Sequence, residues 1–214
     1  MKRYKYLIFD CDGTLLDSRF CTVSAFEKMV QTIQGRPLTE EEREEVFHRP
    51  STESLLAMGV PVDSYHLDLL NTYYFEETAH IQMFDGLEEV LRCLQKKGIP
   101  MGMATNRDEE ESLYAMKYHG LSKYLEGFTC RDYVRDPKPS GAMLTYYLEK
   151  YHIPKEETLF LGNGTTDHLS AIDAGLDYAY CMWGTTEMLE EEAYTIEDPR
   201  EIMLYVGEDY DSCE

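Results

Sequence analysis

Tyr4-Lys5-Tyr6-Leu7-Ile8-Phe9-Asp10-Cys11-Asp12-Gly13-Thr14-Leu15-Leu16-Asp17-Ser18 is the stretch around which the rest of the chain is read. Tyr6 to Phe9 is a short apolar run of good strand formers, short enough for a strand buried on both faces. It stops abruptly at Asp10-Cys11-Asp12-Gly13-Thr14. Asp10 and Asp12 are two apart, so in extended chain both carboxylates project to one side. Gly13 then lets the backbone turn sharply just past them. Two acids at the carboxyl end of a buried strand lie where open α/β sheets bind ligands. Asp-Gly alone would also serve as an ordinary turn before a helix.

Outward from this stretch the pattern changes to helix. Phe20, Val23, Phe26, Val30 and Ile33 recur at helical spacing, and Gly35-Arg36-Pro37 ends the run. Thr39 and Glu42 form a capping box that opens a second, acidic helix. Ser51 to Ser54 opens a third, and a fourth is expected from about Asp63 to Ala79. Four helices with no strand between them mark residues 16–81 as an all-helical insertion. From Phe84 onward strands and helices alternate. The strands are expected at Pro100–Ala104, Gly127–Thr129, Thr158–Leu161 and Tyr178–Cys181, with a last helix over Pro199–Val206. Such alternation implies an α/β fold, a Rossmann-like parallel sheet with helices on both faces. The core is then 1–15 plus 82–214.

A chain of 214 residues can hold such a core and a small inserted domain. The formal net charge of −21 argues against nucleic acid and anionic membrane as partners. No apolar run is long enough to span a bilayer, and the first strand leaves no room for a signal peptide. The six cysteines show neither C-x-x-C pairing nor zinc spacing, so a reduced, cytoplasmic protein is expected. With so acidic a chain, any anion site must be local: a metal, a lysine and backbone N–H groups. The runs Glu40 to Glu45 and Glu190 to Glu192 read as solvated helix faces.

Three later stretches end strands of the core. In Met101-Gly-Met-Ala-Thr105-Asn106-Arg107 a hydroxyl at a strand end, followed by a helix N-terminus, suits a phosphoryl oxygen. The same two residues, Thr105 and Asn106, also suit a cap for the helix beginning near Asp108. In Asp136-Pro137-Lys138-Pro139 a lysine between two prolines loses backbone freedom and opens a helix where the dipole disfavours a cation. In Leu159-Phe-Leu161-Gly162-Asn163-Gly164-Thr165-Thr166-Asp167 a strand runs into a glycine-bracketed asparagine and then an acid.

Taken together, the strand with Asp-x-Asp-Gly-Thr-Leu, then Thr105, Lys138 and the Asn163–Asp167 segment resemble the four motifs of the haloacid dehalogenase-like hydrolases. The resemblance covers essentially the whole chain. The helical insertion and Phe84-Asp-Gly86 look most like the phosphoglycolate phosphatase and β-phosphoglucomutase branch, in which the insertion is a cap domain. It implies an Mg²⁺-dependent phosphatase of a small phosphorylated metabolite. Asp10 would be the nucleophile that forms an aspartyl-phosphate, and Asp12 the general acid and base. Thr105 and Lys138 would stabilise the phosphoryl oxygens, with Gly13 and Asn106 among the substrate contacts. Arg49, in the loop His48-Arg49-Pro50-Ser51, is a candidate for binding a substrate anion, and equally a solvated arginine.

The metal ligands implied are the Asp10 carboxylate, the Asp12 backbone carbonyl, residue 163 and Asp167. The family pattern has Asp at residue 163, and this chain has Asn163. Loss of that charge would weaken Mg²⁺ binding by roughly 1–3 kcal/mol on a Coulomb argument. Asp12 favours phosphoryl transfer over dehalogenation. Lys28 is the only lysine between Ser18 and His80, which disfavours the Schiff-base branch. A phosphomutase, or a phospho-ligand-binding protein without turnover, remains as an alternative function.

Overall fold

The computed structural model describes residues 2–48, 51–184 and 194–210. Arg49 and the acid run at 190–192 therefore lie outside the described residues. The chain divides into two compact units, Met1–Asp17 with Met83–Glu214, and Ser18–Gln82.

In chain order the elements are β1 (Tyr6–Phe9), β2 (Leu16–Asp17), α1 (Arg19–Gln34), α2 (Glu40–His48), α3 (Ser51–Ala57), α4 (Ser64–Glu77) and β3 (Gln82–Met83). They continue as α5 (Leu87–Lys96), β4 (Met101–Thr105), α6 (Glu109–Tyr118), β5 (Gly127–Cys130), α7 (Ala142–Tyr151) and β6 (Thr158–Gly162). The last are α8 (Thr165–Ala174), β7 (Asp177–Cys181), β8 (Tyr194–Ile196) and α9 (Ile202–Val206). Short 3₁₀ turns fill several of the connections.

Six strands form one parallel sheet in the order β5-β4-β1-β6-β7-β8. The chain builds outward from β1 to β4 and β5 on one side, then returns to build β6, β7 and β8 on the other. That reversal makes the carboxyl end of β1 a topological switch point, where this class of sheet opens a crevice. The core strands are buried on both faces, which is why Leu7, Ile8 and Phe9 read as a continuous apolar run. Ile8, Ala104, Phe160, Tyr178 and Tyr180 pack on one face with Leu144 and Tyr147 of α7 and Ala171 of α8. α5 buries Leu87, Val90, Leu91 and Leu94, spaced as a single helical stripe. Each such side chain taken out of water stabilises the fold by about 1.5–3 kcal/mol.

The inserted unit has its own core. Phe26, Met29 and Val30 of α1 pack with Leu38, Val46, Leu55, Val60 and Leu70. The capping box opening α2 is formed: Glu42 N–H donates to Thr39 Oγ1 at 3.1 Å, and Thr39 N–H to Glu42 Oε2 at 2.8 Å. Gly35 closes α1 in the left-handed conformation, φ 67°.

Several features depart from the sequence reading, among them a second, two-stranded sheet of β2 and β3. The edge strand β8 adds to β7. Cys11, Cys21, Cys130 and Cys181 are free thiols, but Cys93 is disulfide-bonded, where a wholly reduced set was expected. No helix among the described residues is long and apolar enough to cross a membrane.

Candidate active site

Three neighbouring strands deliver the site. β4, β1 and β6 lie side by side, so their carboxyl ends bring Thr105, Asp10 and Asn163 to one edge of the sheet. Asp10 directly follows β1, and its N–H still donates to Leu161 O at 2.8 Å, so the nucleophile candidate is held by the sheet ladder. Gly13 then turns the chain with φ 78°, and its N–H donates to Leu16 O at 2.9 Å.

Lys138 reaches this edge from the segment between β5 and α7. Its side chain is 3% exposed, and Nζ lies 2.5 Å from Asp10 Oδ1 and 2.6 Å from Asp167 Oδ1. Burial works against a charged lysine, but the two carboxylates outweigh it and hold its pKa above the ordinary value. The Asp10 carboxyl is pushed up to about 7, by burial first and then by the charge of Asp167, with Lys138 pulling the other way. Two acids sharing one buried cation leave the site with unmatched negative charge.

Asn106, expected among the substrate contacts, braces the lysine through its side chain. Its Oδ1 accepts from Lys138 N–H at 3.0 Å, and its Nδ2 donates to Lys138 O at 3.2 Å. Both ends of the amide are committed to fixing the backbone of the lysine. Thr105 is buried, and its Oγ1 accepts from Arg107 N–H at 3.2 Å, which leaves the hydroxyl proton able to donate elsewhere.

The Asn163–Asp167 segment, which holds the other two expected metal ligands, also makes contacts within the protein. Asp167 Oδ2 accepts from the N–H groups of Asn163 and Gly164, each at 3.2 Å, as the first-turn acid of α8. Its Oδ1 is taken by Lys138, so both oxygens are engaged. Asn163 Oδ1 accepts from Thr14 Oγ1 at 3.3 Å, and Nδ2 donates to Gly184 O at 3.1 Å. The amide lies flat on Gly13: a Cβ there would stand 2.2 Å from Nδ2. Gly184 is pressed equally close, since a Cβ on it would stand 1.7 Å from Gly13 O. Trp183 Nε1 donates to Thr14 O at 3.0 Å across the same junction. Residue 163 thus clamps the turn after β1 to the loop after β7, a role that needs an N–H donor.

Among the described residues no group of three or more His, Cys, Asp or Glu is arranged to hold a metal ion. Mg²⁺ keeps several waters and needs only one or two carboxylates from the protein. Asp10, with Asp12, Asn163 and Asp167 at the same end of the sheet, offers the sparse oxygen set that such an ion takes.

Arg107 was not singled out by the sequence reading. Its Nε and Nη2 meet Asp12 Oδ2 and Oδ1 at 2.8 and 2.6 Å, and its side chain is 6% exposed. The available signal was the one that marks Lys138: a cation placed at a helix N-terminus, here immediately before the Asp108 cap of α6.

Comparison with known proteins agrees with this fold. The phosphoglycolate phosphatase of Pseudomonas fluorescens is 27% identical over 190 residues, covering 84% of this chain and 70% of that one. The N-acetylmuramic acid 6-phosphate phosphatase of Pseudomonas aeruginosa is 25% identical, over 94% of this chain and 94% of that one. A solved hydrolase of subfamily IA from Geobacter sulfurreducens superposes with a TM-score of 0.79 at 25% identity, covering 95% of this chain and 97% of that one. Residues 7–181, which run from Leu7 in β1 to the end of β7 and include Asp10, Asp12, Thr105, Arg107, Lys138, Asn163 and Asp167, match the family described as haloacid dehalogenase-like hydrolase. The chain belongs to the haloacid dehalogenase-like hydrolases.

Proposed function

We propose that the protein is a phosphatase that hydrolyses a small phosphorylated metabolite through an aspartyl-phosphate on Asp10. The observation that carries this reading is the contact of Lys138 Nζ with Asp10 Oδ1 at 2.5 Å, at a sheet edge that also holds Thr105. A buried carboxylate beside a buried cation can attack phosphorus while the cation faces the charged oxygens of the phosphoryl group.

In the first half-reaction an Asp10 oxygen bonds to phosphorus and the P–O ester bond breaks. Asp12 passes its proton to the departing oxygen. In the second, Asp12 takes a proton from water as the water oxygen attacks phosphorus. The aspartyl bond then breaks and inorganic phosphate leaves. Thr105 donates its hydroxyl proton to a phosphoryl oxygen, and Lys138 offsets the charge on Asp10 and on that group. Asn106 holds the lysine backbone in register. When bound, Mg²⁺ beside Asp10 and Asp12 supplies the positive charge that the acids leave unmatched.

The relatives named above are phosphatases of phosphate monoesters, which supports the same substrate class here. The test is a panel of phosphate monoesters, assayed for phosphate release with and without Mg²⁺. Release from at least one ester, lost in Asp10→Asn, is the expected result. Interconversion of sugar phosphates without release would favour a phosphomutase, and binding without any turnover a ligand-binding protein.

A further inference from the structure

The segment that carries Lys138 is held from more than one side. The lysine's own peptide closes on Asn106, directly after β4, through hydrogen bonds of 3.0 and 3.2 Å. Its Nζ meets Asp167 Oδ1 at 2.6 Å in the first turn of α8. A further hold lies outside the site. Asp173, near the end of α8, accepts on Oδ2 from Gly141 N–H at 2.7 Å and from Ser140 Oγ at 3.3 Å. Gly141 has no side chain with which to cap α7, so a carboxylate from another helix satisfies the N-terminus of α7 in its place.

This contact fixes position as well as charge. A Cβ on Gly141 would stand 2.4 Å from Ala174 N, so the start of α7 rests directly on the backbone of α8. Little slack remains between Gly141 and Lys138. Pro137 and Pro139 restrict φ on either side of the lysine, and Ser140 N–H donates to Pro137 O at 2.9 Å, closing the turn. A displacement at Gly141 is therefore passed to Lys138. One helix thus holds the lysine from both ends. Asp167 takes the ammonium, and Asp173, about 9 Å further along the axis of α8, takes the chain beyond it. Asp173 is itself exposed, so its effect on the buried site runs through the chain and not through contact.

We propose that Asp173 is a positioning residue for Lys138: it fixes the start of α7 on α8 and so sets where the ammonium stands beside Asp10. The inference rests on the phosphatase reading, in which Lys138 faces the charged phosphoryl oxygens. A small displacement of such a preorganised charge is costly to the reaction.

The test measures kcat, on an ester that wild type hydrolyses, and residue-resolved amide hydrogen exchange in wild type, Asp173→Ala, Asp173→Asn and Asp63→Ala. Asp173→Asn keeps an acceptor oxygen in place and should stay within about threefold of wild type in kcat. Asp173→Ala should lose roughly tenfold. In that variant the Lys138 N–H, which donates to Asn106, should exchange roughly tenfold faster than in wild type. Mere loss of a helix cap would instead free Gly141 and Ala142 and leave Lys138 protected. Asp63→Ala is the control: it removes a cap of the same kind from α4, where Asp63 accepts from His66 N–H at 3.0 Å. Its kcat should stay within about twofold of wild type. Where Asp173→Ala melts below the assay temperature, Asp173→Glu decides. It keeps the charge on a longer arm and should fall roughly fivefold below Asp173→Asn. Wild-type kcat in Asp173→Ala, protection retained at Lys138, an equal fall in Asp63→Ala, or equal kcat in Asp173→Asn and Asp173→Glu overturns the assignment and leaves the phosphatase reading intact. A wild type that releases phosphate from no ester overturns both.

Discussion

Asn163→Asp restores the residue type found at this position across the family pattern, and the structure makes it a destabilising change. Asn163 Nδ2 donates to Gly184 O at 3.1 Å, and the substitution replaces that donor by an acceptor. The lost hydrogen bond costs about 1 kcal/mol. The two oxygens left facing one another, in a site where Asn163 is 7% exposed, cost roughly 1–3 kcal/mol more. The clamp cannot relax by sliding, because Gly13 and Gly184 already touch its neighbourhood within a carbon diameter. The expected sum is about 2–4 kcal/mol, which for a chain of this size lowers Tm on the order of 10 °C. The measurement is a thermal melt in EDTA, paired with calorimetric titration of Mg²⁺ into wild type and variant. The reasoning requires a lower Tm and an Mg²⁺ affinity within threefold of wild type. A variant that melts with wild type in EDTA and binds Mg²⁺ ten times more tightly would refute it, by placing residue 163 on the metal.

Asp10→Asn should abolish phosphate release and leave Tm at pH 8 unchanged or higher. Burial raises this carboxyl to about 7, so its ionised form works against the fold as pH rises through that value, and the amide has no charge to bury. Lys138→Met leaves Asp10 and Asp167 buried without their shared cation and should cost roughly 3–5 kcal/mol in urea titrations. That loss should be smaller at pH 5 than at pH 8, because the orphaned acids can then take up protons. In the inserted unit, Arg36 holds the Glu42 carboxyl down at about 2. Stability from that contact is present above the ordinary carboxylate pKa and is lost as pH falls toward about 2. Glu42→Gln should accordingly melt slightly below wild type at pH 7 and converge with it in acid.

The elements that were legible in the sequence are those with an unbroken local signal. Leu7 to Phe9 and Leu159 to Leu161 read as buried strands because they are apolar on every residue, and the sheet buries both of their faces. Asp10 and Thr105 could be named because each stands at the end of a buried strand, and Lys138 because two prolines hold it at the start of a helix. What escaped reading depends on partners distant in sequence. Nothing in Asn106 announces that its amide closes on Lys138, nor in Asn163 that its amide closes on Gly184. β8 has only Tyr194, Thr195 and Ile196, too few residues for any period to show. Cys93 carries no spacing that marks it for a disulfide. Arg107 was open to the dipole argument applied to Lys138, but its partner Asp12 could be found only by folding the sheet.

The position of β1 has a consequence for how the chain must be made. Leu7 pairs with Met101 on one side and with Leu159 on the other, so β1, made before both of these partners, waits longest to gain its second neighbour. Until residue 162 leaves the ribosome, at least one edge of β1 has no partner within the sheet. The apolar run that decides the fold is during that interval an open strand edge, the kind that pairs with other chains. The inserted helical unit, whose contacts are local in sequence, has no such wait and can fold while the sheet is incomplete. Premature termination after the insertion is complete and before β6, between residues 83 and 157, would thus release a folded insertion attached to an unpaired apolar strand, and such fragments should appear in the aggregated fraction.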